Sequence, residues 1–188
     1  MDNKTQKVSY EHTPNPATLR FRLPLRVTEE AFDVPSAQEA ERSPLAAKIF
    51  GFPWTSSVFI GADFITITKQ DWVEWEILAA PLSALIQDHL DRGEAVVAEM
   101  KAPSTSGDEN PNDSPIVKDI KRVISNEIRP VVALDGGDIV FSRYENQTVY
   151  LQMKGSCAGC PSSQATLKDG IEVRLKELFP EIREVVAI

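Results

Sequence analysis

From Leu19 the residues Leu19-Arg20-Phe21-Arg22-Leu23-Pro24-Leu25 alternate apolar and polar, the two-residue period of a half-buried strand, with Pro24 marking an edge or a strand end. Ser43-Pro44 predicts a short helix. Ser43 suits the capping position, Pro44 the first turn, Leu45, Ala46, Ile49 and Phe50 give an apolar face, and Gly51 ends it. Ser57–Ile60 and Phe64–Lys69, rich in β-branched residues and separated by Gly61-Ala62-Asp63, predict a hairpin. Pro81 to Glu94 follows as a helix with Leu82, Leu85, Ile86 and Leu90 on one side. This first half is a small α+β unit.

Residues 101–115 carry no large apolar side chain and are dense in Pro, Ser, Asn and Asp, the composition of a linker. As a flexible coil, 15 residues would hold their ends about 20 Å apart. Beyond it, Ile116, Ile120, Val123, Ile124 and Ile128 form a helical stripe interrupted near Pro130, and Gly136-Gly137 breaks it. Asp138–Tyr144 and Thr148–Met153 flank Glu145-Asn146-Gln147 as a second hairpin. A helix starting at Pro161 or Ser162 places Leu167, Ile171, Leu175 and Leu178 inward, and a last strand runs over 184–188. The fold class expected is α+β: two small domains, 1–100 and 116–188, joined by a flexible linker over 101–115, the second of α-β-β-α-β order.

Charge sharpens this division. The chain carries −8 overall, with 9 Lys/Arg against 15 Asp/Glu in residues 1–100 and 10 against 10 in residues 116–188. An acidic chain lacks the basic surface that neutralises phosphates, so no nucleic-acid partner is expected. The first ten residues hold no apolar signal core or arginine-rich leader pattern, and no apolar run reaches the roughly 18 residues of a membrane span. The expectation is a soluble cytoplasmic protein with no membrane partner.

The chain's two cysteines, Cys157 and Cys160, sit three positions apart in Gly155-Ser156-Cys157-Ala158-Gly159-Cys160-Pro161. Two thiolates are half of what a tetrahedral zinc or a four-iron cluster takes from protein, so the pair is either a redox dithiol or a half-site shared between chains. Just before a helix N-terminus, unpaired N–H groups and the helix dipole favour thiolate, and Lys154 and Lys168, if near, would lower the thiol pKa further. A thioredoxin-like motif fits less well, because Gly-Ser rather than an aromatic precedes Cys157 and the early βαβ unit is missing. A zinc half-site completed by histidine is poorly served, since His12 and His89 both lie in the first half, where an exposed arm and a helix surface are expected for them. Asp135-Gly136-Gly137-Asp138 is expected to be a tight helix-to-strand turn that its aspartates cap or solvate. Trp54, Trp72 and Trp75 are candidates for core packing before a partner surface.

Ile128-Arg129-Pro130, Leu134-Asp135-Gly136-Gly137-Asp138-Ile139, the cysteine loop through Ser163, and Thr166-Leu167-Lys168-Asp169-Gly170-Ile171-Glu172 together resemble the NifU C-terminal domain. The first half resembles the Nfu N-terminal domain through Thr13-Pro14-Asn15-Pro16-Ala17-Thr18-Leu19-Arg20-Phe21, Ser43-Pro44-Leu45-Ala46 and Asp63–Lys69. The resemblance implies an Nfu-type iron–sulfur cluster carrier, not an enzyme, in which Cys157 and Cys160 ligate iron. Two chains would bridge a [4Fe-4S] cluster, with [2Fe-2S] as the other nuclearity. The implied partners are a second copy of the chain, upstream cluster-assembly proteins and the apo-proteins that receive the cluster. The rivals are a thiol–disulfide oxidoreductase cycling Cys157 and Cys160, and a zinc-stapled dimer.

Overall fold

The computed structural model describes residues 7–98, 113–158 and 161–188. Two units separate, Met1–Met100 and Lys101–Ile188. Both are α+β. Of the expected 101–115 linker, residues 101–112 lie outside the described residues, and Pro115 already opens a helix.

The first unit is built on an antiparallel sheet of order β1-β2-β5-β4-β3, with β1 Ser9–His12, β2 Thr18–Arg22, β3 Phe32–Val34, β4 Thr55–Ile60 and β5 Phe64–Lys69. Its register aligns Leu19 with Ile67 and Phe21 with Ile65, then Val58 with Ile67 and Ile60 with Ile65, so one face is a continuous apolar layer. Each such side chain removed from water contributes about 1.5–3 kcal/mol. The expected half-buried strand at Leu19 is instead buried on both faces over 18–21. The cause is placement: β2 is interior, and Arg20 on its second face lies over the Phe64 ring (4.4 Å) and pairs with Glu11 (2.8 Å).

Helix α1, Pro44–Phe50, is capped as expected by Ser43, whose oxygen accepts from the Ala46 N–H at 3.0 Å. Helix α2 runs Trp75–Asp91, beginning six residues before the predicted start, with Pro81 inside it. Trp75 explains the difference, since its buried ring and its Nε1–H donation to the Pro16 carbonyl (3.1 Å) anchor a turn that the proline alone would disfavour. His89 is not on a helix surface but fully buried, because residues 94–98 fold back over it. Ser43 Oγ donates to the Val96 carbonyl, Ala98 N–H donates to the Arg42 carbonyl, and His89 Nε2 lies 3.1 Å from the Ala95 carbonyl. His12 is exposed on β1.

The second unit opens with α3, Pro115–Val123, which continues through a π-helical segment, Ile124–Ile128, into α4, Arg129–Leu134. The interruption expected near Pro130 is this π-helical segment, and the helix runs on through it to Leu134, just before the break expected at Gly136-Gly137. The widened turn, marked by the Arg129 N–H bonding to the Ile124 carbonyl, absorbs the ring that would clash in a regular helix. Ile120, Ile124, Ile128 and Val132 pack against β6 Gly137–Glu145, β7 Thr148–Gly155 and β8 Glu184–Ala187, in sheet order β6-β7-β8. The β6–β7 hairpin turns at Asn146 and Gln147, both at positive φ, and α5, Pro161–Leu178, crosses over to place β8 parallel to β7. Ile171 and Leu175 face the core as expected, while Leu178 at the helix end is exposed.

Candidate metal centre

Cys157 stands in the turn that leaves β7 for α5. Gly155 closes the strand at φ 64°, and Ala158 N–H donates back to the Gly155 carbonyl at 3.0 Å. Against this turn lies the one joining α4 to β6, where Gly136 takes φ 80°. Both glycines sit in the left-handed region that a Cβ disfavours. Ser156 ties the turns together: its N–H donates to the Gly136 carbonyl (3.2 Å) and its hydroxyl to the Asp135 carbonyl.

Gly137 pairs with Gly155 across the β6–β7 ladder, and a Cβ placed on it would meet Cys157 Sγ at 2.5 Å and the Lys154 carbonyl at 2.7 Å. The missing side chain is what leaves room for the sulfur. Asp138 is buried and takes a two-pronged ion pair from Arg129, Nε to Oδ1 and Nη2 to Oδ2, both 2.7 Å, while Oδ1 also accepts from the Ile139 N–H at 2.8 Å. This pair bolts α4 to β6 behind the cysteine turn. The Asp-Gly-Gly-Asp segment is thus the tight turn expected of it, and beyond that it is one wall of the Cys157 site. Sequence reasoning missed this second role. The facing of Gly137 and Gly155 is the signal that would have shown it, but the register depends on a bulge between Phe141 and Arg143.

Cys157 is 5% exposed. Burial pushes its thiol up to about 11 from the ordinary 9.0, contact with the Ser156 hydroxyl opposes this, and the Asp135 and Asp138 carboxylates add to it. The expected thiolate stabilisation does not hold at this residue. Helix α5 does begin at Pro161, and burial is the largest influence on the Cys157 thiol. Lys168 lies instead 3.9 Å from Glu184 on β8, and Lys154 is on β7 opposite Asp138. Cys160 lies outside the described residues. Among the described residues no three His, Cys, Asp or Glu side chains gather as a metal-binding group. Trp54 and Trp75 are core residues, and Trp72 is exposed.

Two α+β units, the second placing a glycine-walled cysteine turn between a hairpin and a crossover helix, define a class that comparison makes specific. The family model described as NifU-like domain matches residues 120–186, and the one described as Scaffold protein Nfu/NifU N terminal matches residues 8–93. The chain belongs to the Nfu family, with both of its parts in order.

Among curated relatives, the NFU1 iron-sulfur cluster scaffold homolog, mitochondrial, of Drosophila persimilis is 38% identical over 180 residues, covering 95% of this chain and 64% of the relative. Its Drosophila ananassae counterpart is 39% identical over 180 residues, covering 95% of this chain and 63% of the relative. The chain thus spans somewhat under two thirds of the relatives' length. A solution structure of a NifU-like protein from Saccharomyces cerevisiae is 26% identical, with a TM-score of 0.45 over 53% of this chain and 93% of that one.

These relatives correct the cytoplasmic expectation, because their names place them in mitochondria. That expectation rested on the make-up of ten residues, which carries no information on segments that relatives hold outside the matched span. Among the described residues no helix is long and apolar enough to cross a membrane.

Proposed function

We propose that the chain is an iron–sulfur cluster carrier, binding through Cys157 and Cys160 a [4Fe-4S] cluster bridged to a second copy and passing it to apo-proteins. The observation that carries this reading is that the turn at Cys157, whose one fellow cysteine stands three positions on in the sequence, is wedged against a second turn whose Gly137 is bare where the Cys157 sulfur lies. Family membership supports it, as do relatives named as iron-sulfur cluster scaffolds.

Soft thiolates suit iron and sulfide, and two per chain make four from two chains. A cluster held by two short turns at a subunit boundary is open to attack by the thiolates of an acceptor. Stepwise thiolate exchange then releases Cys157 and Cys160, the bridge is lost, and the difference in affinity drives transfer. The protein forms no covalent bond to a substrate in this scheme and is a carrier rather than an enzyme. Upstream assembly proteins supply the cluster, and the acidic residues 1–100 serve to recruit partners, joined to the carrier domain 116–188 by the linker over 101–115.

Anaerobic reconstitution with iron and sulfide tests the proposal. The expected product is brown, with about four irons and four sulfides per two chains, and Cys157→Ser or Cys160→Ser each remove it. Cluster content unchanged in those variants overturns the ligand assignment.

A further inference from the structure

The proposed site is complete only when a second copy brings its own pair of thiols, and the surface beside Cys157 has an exposed apolar face. We infer that this face, Val131 and Leu134 on α4 together with the open flank of α5 at Gly170, is where the second copy docks. The inference rests on the carrier reading above and names the surface that reading requires.

Helix α4 ends at Leu134, and the carbonyl of the next residue, Asp135, receives the Ser156 hydroxyl. Leu134 therefore flanks the turn that holds Cys157. Val131 and Leu134, three residues apart, share a helix face and are 58% and 69% exposed. They set a small exposed apolar pair at the edge of the cysteine turn, next to the half-site that a second copy would complete.

One turn back along that helix run, Glu127 accepts from Arg174 of α5, from Nε at 2.9 Å and from Nη2 at 2.7 Å. From this ion pair both helices lead to the cysteine turn: α4 toward its end at Leu134, and α5 back toward its start at Pro161. One turn nearer the cysteines than Arg174 is Gly170, where an added Cβ would meet nothing within 4 Å. A glycine inside a helix weakens it, and no contact among the described residues requires one there.

A bare helix flank beside an apolar pair accommodates close approach of another backbone. A two-fold contact uses the same patch on both copies, and this patch lies next to the sulfur that the two copies are to share. The second copy is favoured over an acceptor because it must be present whenever the cluster is held, whereas an acceptor arrives only for transfer.

The test is anaerobic analytical ultracentrifugation of the reconstituted full chain over a concentration series, comparing the parent with Leu134→Glu, Val131→Glu and the exposed control Trp72→Glu. All three positions are exposed, and far-UV circular dichroism verifies each fold. The parent and Trp72→Glu should dimerise with cluster bound, while Leu134→Glu and Val131→Glu should need at least about ten-fold higher concentration for the same dimer fraction. Hydrogen exchange on cluster loading should slow at residues 131–134 and 166–173. Parent-like dimerisation and cluster content in both α4 variants overturns the docking face and leaves the carrier reading standing. A parent that takes up no cluster, or holds one as a single chain, overturns the carrier reading and this inference with it.

Discussion

Gly137→Ala adds one methyl where the two turns of the site meet. Its carbon would stand 2.5 Å from Cys157 Sγ, 2.7 Å from the Lys154 carbonyl oxygen and 3.2 Å from the Cys157 nitrogen, against an ordinary separation of about 3.5–4.0 Å. Two of those neighbours are backbone, so relief of about 1 Å has to come from the β6–β7 ladder or the cysteine turn itself. Overpacking of this kind costs about 1–3 kcal/mol. In a unit of this size about 1 kcal/mol moves the midpoint by about 4–8 °C, so the second unit should melt roughly 10 °C lower.

The assay separates the units, because Trp54, Trp72 and Trp75 are the chain's three tryptophans and all belong to the first. Tryptophan fluorescence should be unchanged while the circular dichroism transition shifts. Gly170→Ala, with open space around its Cβ, should move the same transition the other way by about 0.5–1 kcal/mol. A Gly137→Ala chain as stable as the parent, or one that melts early by fluorescence, refutes the packing argument.

Ser43→Ala removes a buried cap and leaves the Val96 carbonyl without its donor, and it should lower first-unit stability by about 1–3 kcal/mol, read by fluorescence in urea. Asp138→Asn replaces an anion paired at 2.7 Å to Arg129 and should weaken the second unit by about 1–3 kcal/mol, measured by circular dichroism. The Glu172 carboxylate accepts from Lys176 and from the Val185 N–H, which hold its pKa below the ordinary 4.5. A depressed carboxylate contributes stability that is full above the unfolded pKa and is lost as pH falls through the folded one, so second-unit unfolding should become easier below about pH 4.5 and Glu172→Gln should flatten that dependence. Deleting residues 1–100 should leave cluster assembly intact and slow transfer; equal transfer rates to every acceptor tried would sink the recruiting role.

The elements legible in the sequence are those whose signals are local. Ser43-Pro44 announces α1, and Gly61-Ala62-Asp63 between two β-branched runs announces the β4–β5 hairpin. Where distant packing decides, the sequence misleads: Trp75 reaches the Pro16 carbonyl and extends α2 past Pro81, and the fold-back of residues 94–98 buries His89. Pro130 predicts an interruption, and it takes the form of a π-helical segment that lets the helix run on. Near the candidate site Gly137, Gly155 and Cys157 are visible as residues, yet their meeting is not. Counted back from the Asn146-Gln147 turn without a bulge, Gly137 would face Ser156; the irregularity after Phe141 brings it opposite Gly155 instead. The thiol's environment is likewise a matter of burial, which spacing does not reveal.

The central claim is that the two thiols of one chain hold a cluster only together with those of another. Native mass spectrometry of the anaerobically reconstituted chain tests it most directly. The account predicts a species of twice the chain mass carrying one cluster of about four irons and four sulfides, returning to single chains when the cluster is chelated. A cluster carried at the mass of one chain, or a dimer that persists unchanged without it in Cys157→Ser, would contradict the account.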